Sequence, residues 1–306
     1  MTPSIWPVTP DFAAEVGDID ISAPLSDEQL EIVQDAFNTY SVLVFPGQKL
    51  TQQQHVDFAT LFGPLEQSIG RHRKDAKQRL RTDLADVSNL TADNRIQGAN
   101  NNQRLFSIGN KLWHTDSSFK FAPARASLLY ARSIPPTGGH TQFADMRAAW
   151  DALDDGTKSE IEDLVAEHCI RYSRARIGYD SFDENEVANM PAVPQKLVWT
   201  HVGSGRKGLY LASHMGKIHG MDDAAGNALI DRLIEHATQR QFVYTHRWRE
   251  NDLVIWDNRC TMHRGTDFDD MRFPRDVQRA TVTDEINSCE RAGLPVKDRE
   301  LVARSS

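Results

Sequence analysis

The chain has 306 residues, 40% hydrophobic and 25% charged, which suits a soluble globular protein of one large domain or two small ones. A net charge of −8 argues against a general nucleic-acid surface but leaves room for a small anion in a local basic pocket. Cys169, Cys260 and Cys289 are too few and too scattered for a disulfide framework or a cysteine metal cluster, and they suggest a reducing, cytoplasmic setting.

The opening MTPSIWPVTPDF shows neither a basic n-region nor an apolar h-region, and runs such as SVLVF are too short to cross a bilayer, so neither a secretory leader nor a membrane partner is expected. Ser26 predicts the cap of a helix whose Leu30, Val33 and Phe37 share a face. SVLVF follows as a buried strand, closed by Pro46-Gly47. Thr51 opens a second helix that Gly63-Pro64 stops. Residues 66–111 are polar and poorly periodic, which predicts a long loop and a candidate lid. Eight strands are then expected: LWHTD, ASLLYARS, HTQFAD, KLVWTHV, GLYLAS, QFVYTHRW, DLVIWD and QRATVTD. Helices are expected at 145–154, at 157–168 behind a TKSE capping box, and at 222–239. Short strands with turn signals predict a mainly β sandwich or jelly-roll barrel over residues 1–286. Residues 287–306 read as a weakly patterned tail.

In LWHTDSSF, His114 and Asp116 sit two residues apart, so on a strand they share a face. They form either a hydrogen-bonded pair or two-thirds of a metal site. His263, in LVIWDNRCTMHRG, supplies a second imidazole. Two imidazoles and one carboxylate on one side of a metal leave the other side open, the geometry of non-heme Fe(II) oxygenases. The same donor set also holds zinc, which keeps a hydrolase in view. His55, His168, His236 and His246 read as surface or core residues. Arg275 and Arg279 share a strand face and could clamp carboxylates or form a solvated basic stripe.

The blocks LWHTDSSF, GGHTQFADMRAAWDAL, THVGSGRKGLYL, EHATQRQFVYTHRW and LVIWDNRCTMHRG together resemble the Fe(II)/2-oxoglutarate dioxygenases of the taurine dioxygenase family, most of all its 2,4-dichlorophenoxyacetate dioxygenase branch. The similarity runs in order from VLVFPGQ to RATVTD. It implies a double-stranded β-helix core with flanking helices. It implies that His114, Asp116 and His263 bind Fe(II), and that Thr141 and Arg275 hold the far carboxylate of the co-substrate 2-oxoglutarate. Arg279 matches an arginine that meets the substrate anion or the near carboxylate. Trp256 matches the pocket wall, and Asn110 a position touching substrate and co-substrate. Arg272 competes for the role of Arg275, because one extra residue separates His263 from the arginines. Arg71, His72, Arg73, Lys74, Arg95 and Lys111 are further candidates to meet an anion, and Phe106, Ile108, Leu112 and Phe119 to line a ring pocket.

The implied reaction consumes O2 and 2-oxoglutarate, releases succinate and CO2, hydroxylates the substrate and is stimulated by ascorbate. The implied substrate is a small aryloxyalkanoate anion, and relatives form homo-oligomers. A taurine, alkylsulfonate or alkyl sulfate dioxygenase is the nearest alternative. A non-catalytic, cupin-like metal-binding protein is the second, although it would have no use for a carboxylate clamp.

Overall fold

The computed structural model describes residues 2–66, 79–297 and 300–301. Its centre is a seven-stranded sheet in the order Ser4–Pro7, Ala13–Gly17, Val42–Phe45, Leu253–Asp257, Ala124–Ser133, Asp276–Thr283 and Ala85–Asp86. All neighbours in it are antiparallel except Ala13–Gly17 and Val42–Phe45. A three-stranded sheet, Val243–His246, Thr141–Asp145 and Thr261–Gly265, lies against one face. There Val42, Val44, Leu129, Val254, Trp256 and Val277 pack with Phe143 of the small sheet.

The opposite face carries Leu43, Phe45, Leu128, Ile255 and Val282, which pack on Val33, Phe37, Val56 and Phe58 of helices Asp27–Tyr40 and Gln52–Thr60. Successive side chains of one strand therefore enter two different cores, which is why VLVF (42–45) and LVIW (253–256) are apolar throughout rather than alternating. Both helices start where expected. Ser26 and Thr51 each close a capping box, with Gln29 and Gln54 as the reciprocal partners. A third core joins Met146–Asp151 and Asp223–Ala237 through Ala149, Trp150, Leu229, Ile230 and Leu233.

Several expectations need correction. The helix placed at 157–168 runs Asp155–Ile161, capped by Asp154, whose carboxylate accepts the Thr157 N–H at 2.9 Å. Thr157 is thus the third helical residue, not the cap. Val165–His168 is a strand instead, paired with Val193–Lys196 and Met215–Ile218, so sheet pairing overrides local propensity. LWHTD is not a strand: His114 alone makes a bridge, and Ser117 (φ 51°) turns the chain directly after Asp116.

The described part of the expected loop is partly ordered secondary structure. Ala85–Asp86 adds an edge to the large sheet, and helix Asn102–Ser107, capped by Asn101, runs into a 3-10 turn over Ile108–Lys111. Arg71, His72, Arg73 and Lys74 lie outside the described residues. Of the expected tail, Asn287 caps helix Ser288–Arg291 and donates its side-chain amide to Phe121 O and Pro194 O, both at 2.9 Å. Residues 302–306 lie outside the described residues. No described helix is long and apolar enough to cross a membrane.

Candidate active site

His114 and His263 face each other because their backbones exchange two hydrogen bonds, His114 N–H to His263 O at 3.0 Å and the reverse at 2.8 Å. His263 belongs to strand Thr261–Gly265, whose neighbour places Phe143 directly opposite it. The two imidazole centroids are 4.2 Å apart. His114 Nδ1–H donates to Leu112 O at 2.8 Å, which leaves Nε2 with its lone pair toward the site. Asp116 approaches His114 Nε2 at 3.8 Å and His263 Nε2 at 3.6 Å, too long for a simple hydrogen-bonded pair. One donor atom from each of the three residues lies within 4.8 Å of the others, so the trio could hold a metal ion.

Burial holds both histidines below their ordinary value, so they stand as neutral imidazoles, the form that ligates metals. Burial pushes the Asp116 carboxyl up, but the Arg279 charge foremost, and the Ser127 hydroxyl with it, outweigh burial and bring it to about 2. Ser127 Oγ–H donates to Asp116 Oδ2 at 2.7 Å, and Arg279 Nη1 bonds Oδ1.

A cleft opens beside the trio, lined by Asn110, Thr141, Trp256, Arg275 and Arg279 together with His114 and His263. Asp116 closes the trio beside this cleft, so the three donors and the five residues Asn110, Thr141, Trp256, Arg275 and Arg279 lie together. Arg275 is buried, and Nε–H donates to the Gly139 carbonyl at 3.0 Å. No carboxylate of the described residues pairs with it, and burial alone pulls its guanidinium down to about 10, leaving it charged at neutral pH. Gly139 must be glycine: its φ is +64°, and a Cβ would meet Pro135 Cγ at 2.9 Å. Thr141 Oγ1 accepts from Trp248 Nε1 at 3.0 Å, which leaves its own O–H to donate into the cleft. Arg279 Nε is buried without a partner. Arg272 is exposed and covers the Phe273 ring at 5.1 Å, whereas Arg275 lines the cleft.

Trp256 packs 4.6 Å from the His263 ring, and its indole N–H is spent on Asn258 Oδ1 at 3.0 Å, so it acts as a wall. Of the four apolar candidates, Ile108 lines the cleft. Phe106 is covered by the Arg174 guanidinium at 4.0 Å, and Phe119 packs on His214 at 4.9 Å. Arg95 is exposed, whereas Lys111 lines the cleft and pairs with Asp267 at 2.5 Å. Sequence reasoning missed Ser127, Asn258 and His214, the last set edge-on to His114 at 5.8 Å. It also missed Arg104 and Asp270, which join by two 3.1 Å hydrogen bonds between cleft-lining residues. None carries a motif, because each is recruited by strand register or loop packing. Three of the other histidines are partnered as expected of core residues: His55 with Leu128 O, His236 with Ala149 O and His246 with Asp252. His168 is not, since neither ring nitrogen has a partner.

A second trio, His201, Asp257 and Cys260, also has donor atoms within 4.8 Å. Its carboxylate is already taken by Arg259 at 2.6 Å and by His201 at 3.0 Å, so it is a closed ion network in the core.

The model of the family described as "Taurine catabolism dioxygenase TauD, TfdA family" matches residues 4–281. The chain belongs to this family of dioxygenases. Among its TauD, TfdA relatives, the "Alpha-ketoglutarate-dependent 2,4-dichlorophenoxyacetate dioxygenase" of Cupriavidus pinatubonensis is 43% identical over 91% of this chain and 97% of its own length. The "(S)-phenoxypropionate/alpha-ketoglutarate-dioxygenase" of Sphingobium herbicidovorans is 34% identical over 87% of this chain and 90% of its own length. The crystal structure of AAD-2 in complex with Mn(II) and N-oxalylglycine superposes with a TM-score of 0.90 at 46% identity, covering 94% of this chain and all of that one, 100%.

Proposed function

We infer that this dioxygenase uses Fe(II), 2-oxoglutarate and O2 to hydroxylate a small aryloxyalkanoate anion at the carbon next to the ether oxygen. The observation that carries the reading is a buried, acid-free guanidinium, Arg275, beside three converging metal donors. A protein that only stored a metal would gain nothing from an uncompensated buried cation, which is costly unless a ligand meets it. The alpha-ketoglutarate dependence of the 2,4-dichlorophenoxyacetate relative and the Mn(II) and N-oxalylglycine of the AAD-2 crystal support the same reading.

In this account His114, Asp116 and His263 are the iron ligands. The donor set fits the ion: two neutral imidazoles and an ionised carboxylate on one side, with a cleft on the other. When bound, the iron together with 2-oxoglutarate and O2 supplies the oxidation, with succinate and CO2 as co-products. Thr141 O–H and the Arg275 guanidinium hold the far carboxylate of 2-oxoglutarate, and Arg279 meets the substrate anion or the near carboxylate. Asn110 and Trp256 shape the wall between substrate and co-substrate. The hydroxylated carbon is a hemiacetal. Its C–O bond breaks, the hydroxyl proton passes to the phenolic oxygen, and a phenol and an oxo acid leave without any hydrolytic residue.

Two facing sheets support a double-stranded β-helix core within a single catalytic domain over 1–286. Three buried free cysteines support a reducing, cytoplasmic setting, and a homo-oligomer is the assembly we expect. The test is product analysis with Fe(II), ascorbate, 2-oxoglutarate and O2. Succinate and a phenol should form together from phenoxyacetate or a 2-phenoxypropionate enantiomer. Succinate with sulfite from taurine, or with sulfate from an alkyl sulfate, and no phenol from any aryl substrate would refute the substrate assignment.

A further inference from the structure

Behind the Asp116 carboxylate lies a chain of buried hydrogen bonds whose Ser127 and Asn258 the reaction itself does not call on. Trp256 Nε1–H donates to Asn258 Oδ1 at 3.0 Å, and the Asp116 backbone N–H donates to the same oxygen at 3.2 Å. Asn258 Nδ2–H donates to Ser127 Oγ at 2.9 Å, and Ser127 O–H donates to Asp116 Oδ2 at 2.7 Å. Ser127 and Asn258 are both 0% exposed, so water cannot stand in for either partner.

The direction of the chain is fixed. Two N–H donors on Asn258 Oδ1 set the orientation of its amide, so the amide nitrogen must face Ser127. Ser127 Oγ then receives a hydrogen, and its own proton has Asp116 as its destination. Strand register builds the arrangement: Ser127 lies opposite Trp256 on one flanking strand and opposite Thr281 on the other. Asn258 begins the turn that leads into the His263 strand.

We propose that Ser127 and Asn258 are positioning residues that fix the plane of the Asp116 carboxylate and so pre-form the metal site. Without the serine hydroxyl, Asp116 is free to rotate toward Arg279, its only other side-chain hydrogen-bond donor among the described residues. The inference rests on reading His114, Asp116 and His263 as the metal ligands. Its mechanism is a directed hydrogen bond, and filled volume alone does not reproduce it.

The experiment measures Mn(II) affinity of the metal-free protein by the loss of the free-ion EPR signal, with a thermal melt of each variant as the folding control. Ser127→Ala should weaken Mn(II) binding roughly 10- to 100-fold, the usual effect of removing a hydrogen bond behind a metal ligand. Ser127→Thr keeps the hydroxyl and should restore binding. Asn258→Asp should weaken it too, because its carboxylate takes the serine proton away from Asp116; this variant decides the matter if Ser127→Ala does not fold. Wild-type affinity in a folded Ser127→Ala or Asn258→Asp protein would overturn the inference, as would equal losses in Ser127→Ala and Ser127→Thr. Asp116→Asn should lose binding; wild-type binding there would overturn the ligand reading beneath the inference, a distinguishable failure.

Discussion

Arg275 shows how one residue states a function. Its guanidinium is buried, held by the Gly139 carbonyl at 3.0 Å and by no acid among the described residues. A charged hydrogen bond to a ligand carboxylate contributes about 1.5–3 kcal/mol. Arg275→Ala should therefore raise the KM for 2-oxoglutarate roughly tenfold to a hundredfold, and the KM for the aryl substrate much less. Steady-state kinetics with each substrate varied in turn checks this, and the opposite ranking would exchange the roles of Arg275 and Arg279. His114, Asp116 and His263 could be singled out in the sequence because the donor types and the H-x-D spacing carry chemistry. Thr141, Arg275 and Asn110 needed long matched blocks, since a threonine, an arginine or an asparagine alone has no pattern. Ser127 and Asn258 were not legible at all: their importance lies in register and directed hydrogen bonds.

Arg79 organises an element. It makes two-pronged contacts with both Asp86 and Asp276, at 2.6–2.9 Å, and its side chain is 6% exposed. These contacts fasten Ala85–Asp86 to the edge of the large sheet. From there Asn89 accepts the Arg275 backbone N–H at 2.8 Å and ties Asp270 and Phe273 through its amide. Arg79→Met would leave two carboxylates without their shared cation, a loss of about 3–5 kcal/mol for a buried pair. Hydrogen exchange across residues 83–90 should accelerate, and the KM for 2-oxoglutarate should rise with it. Protection at the wild-type level would show that the edge strand holds by its backbone alone. The sequence could not reveal this segment, because a two-residue strand has no periodicity and its partner charge lies almost two hundred residues away. LWHTD misled in the opposite sense. Its alternation looks like a strand, yet a turn at Ser117 ends the pairing after one bridge.

At the scale of the whole molecule, the seven-stranded sheet and the three-stranded sheet that faces it hold the site between them, and the stability of the fold carries a pH signature. Burial pulls His55 down to about 4 and His168 down to about 3, from an ordinary 6.5. Both stay neutral in the folded state, while the unfolded chain takes up protons as pH falls below 6.5. Their contribution is complete above that value and is lost on acidification, at roughly 1.4 kcal/mol per pH unit for each histidine. His201 has the opposite sign. Burial lowers it, but Cys260 and Asp257 raise it to about 10, so its contribution is lost as pH climbs from 6.5 through that value. Urea unfolding of the metal-free protein at pH 6.5 and pH 5 should show a smaller loss on acidification for His168→Leu than for wild type; equal losses would mean that His168 finds a proton partner in the fold. Whether His114, Asp116 and His263 hold iron is read by anaerobic addition of Fe(II) and 2-oxoglutarate, followed by the visible metal-to-ligand charge-transfer band. The band should appear in wild type and be absent from folded Asp116→Ala and His263→Ala proteins. A wild-type band in either variant would contradict that ligand assignment.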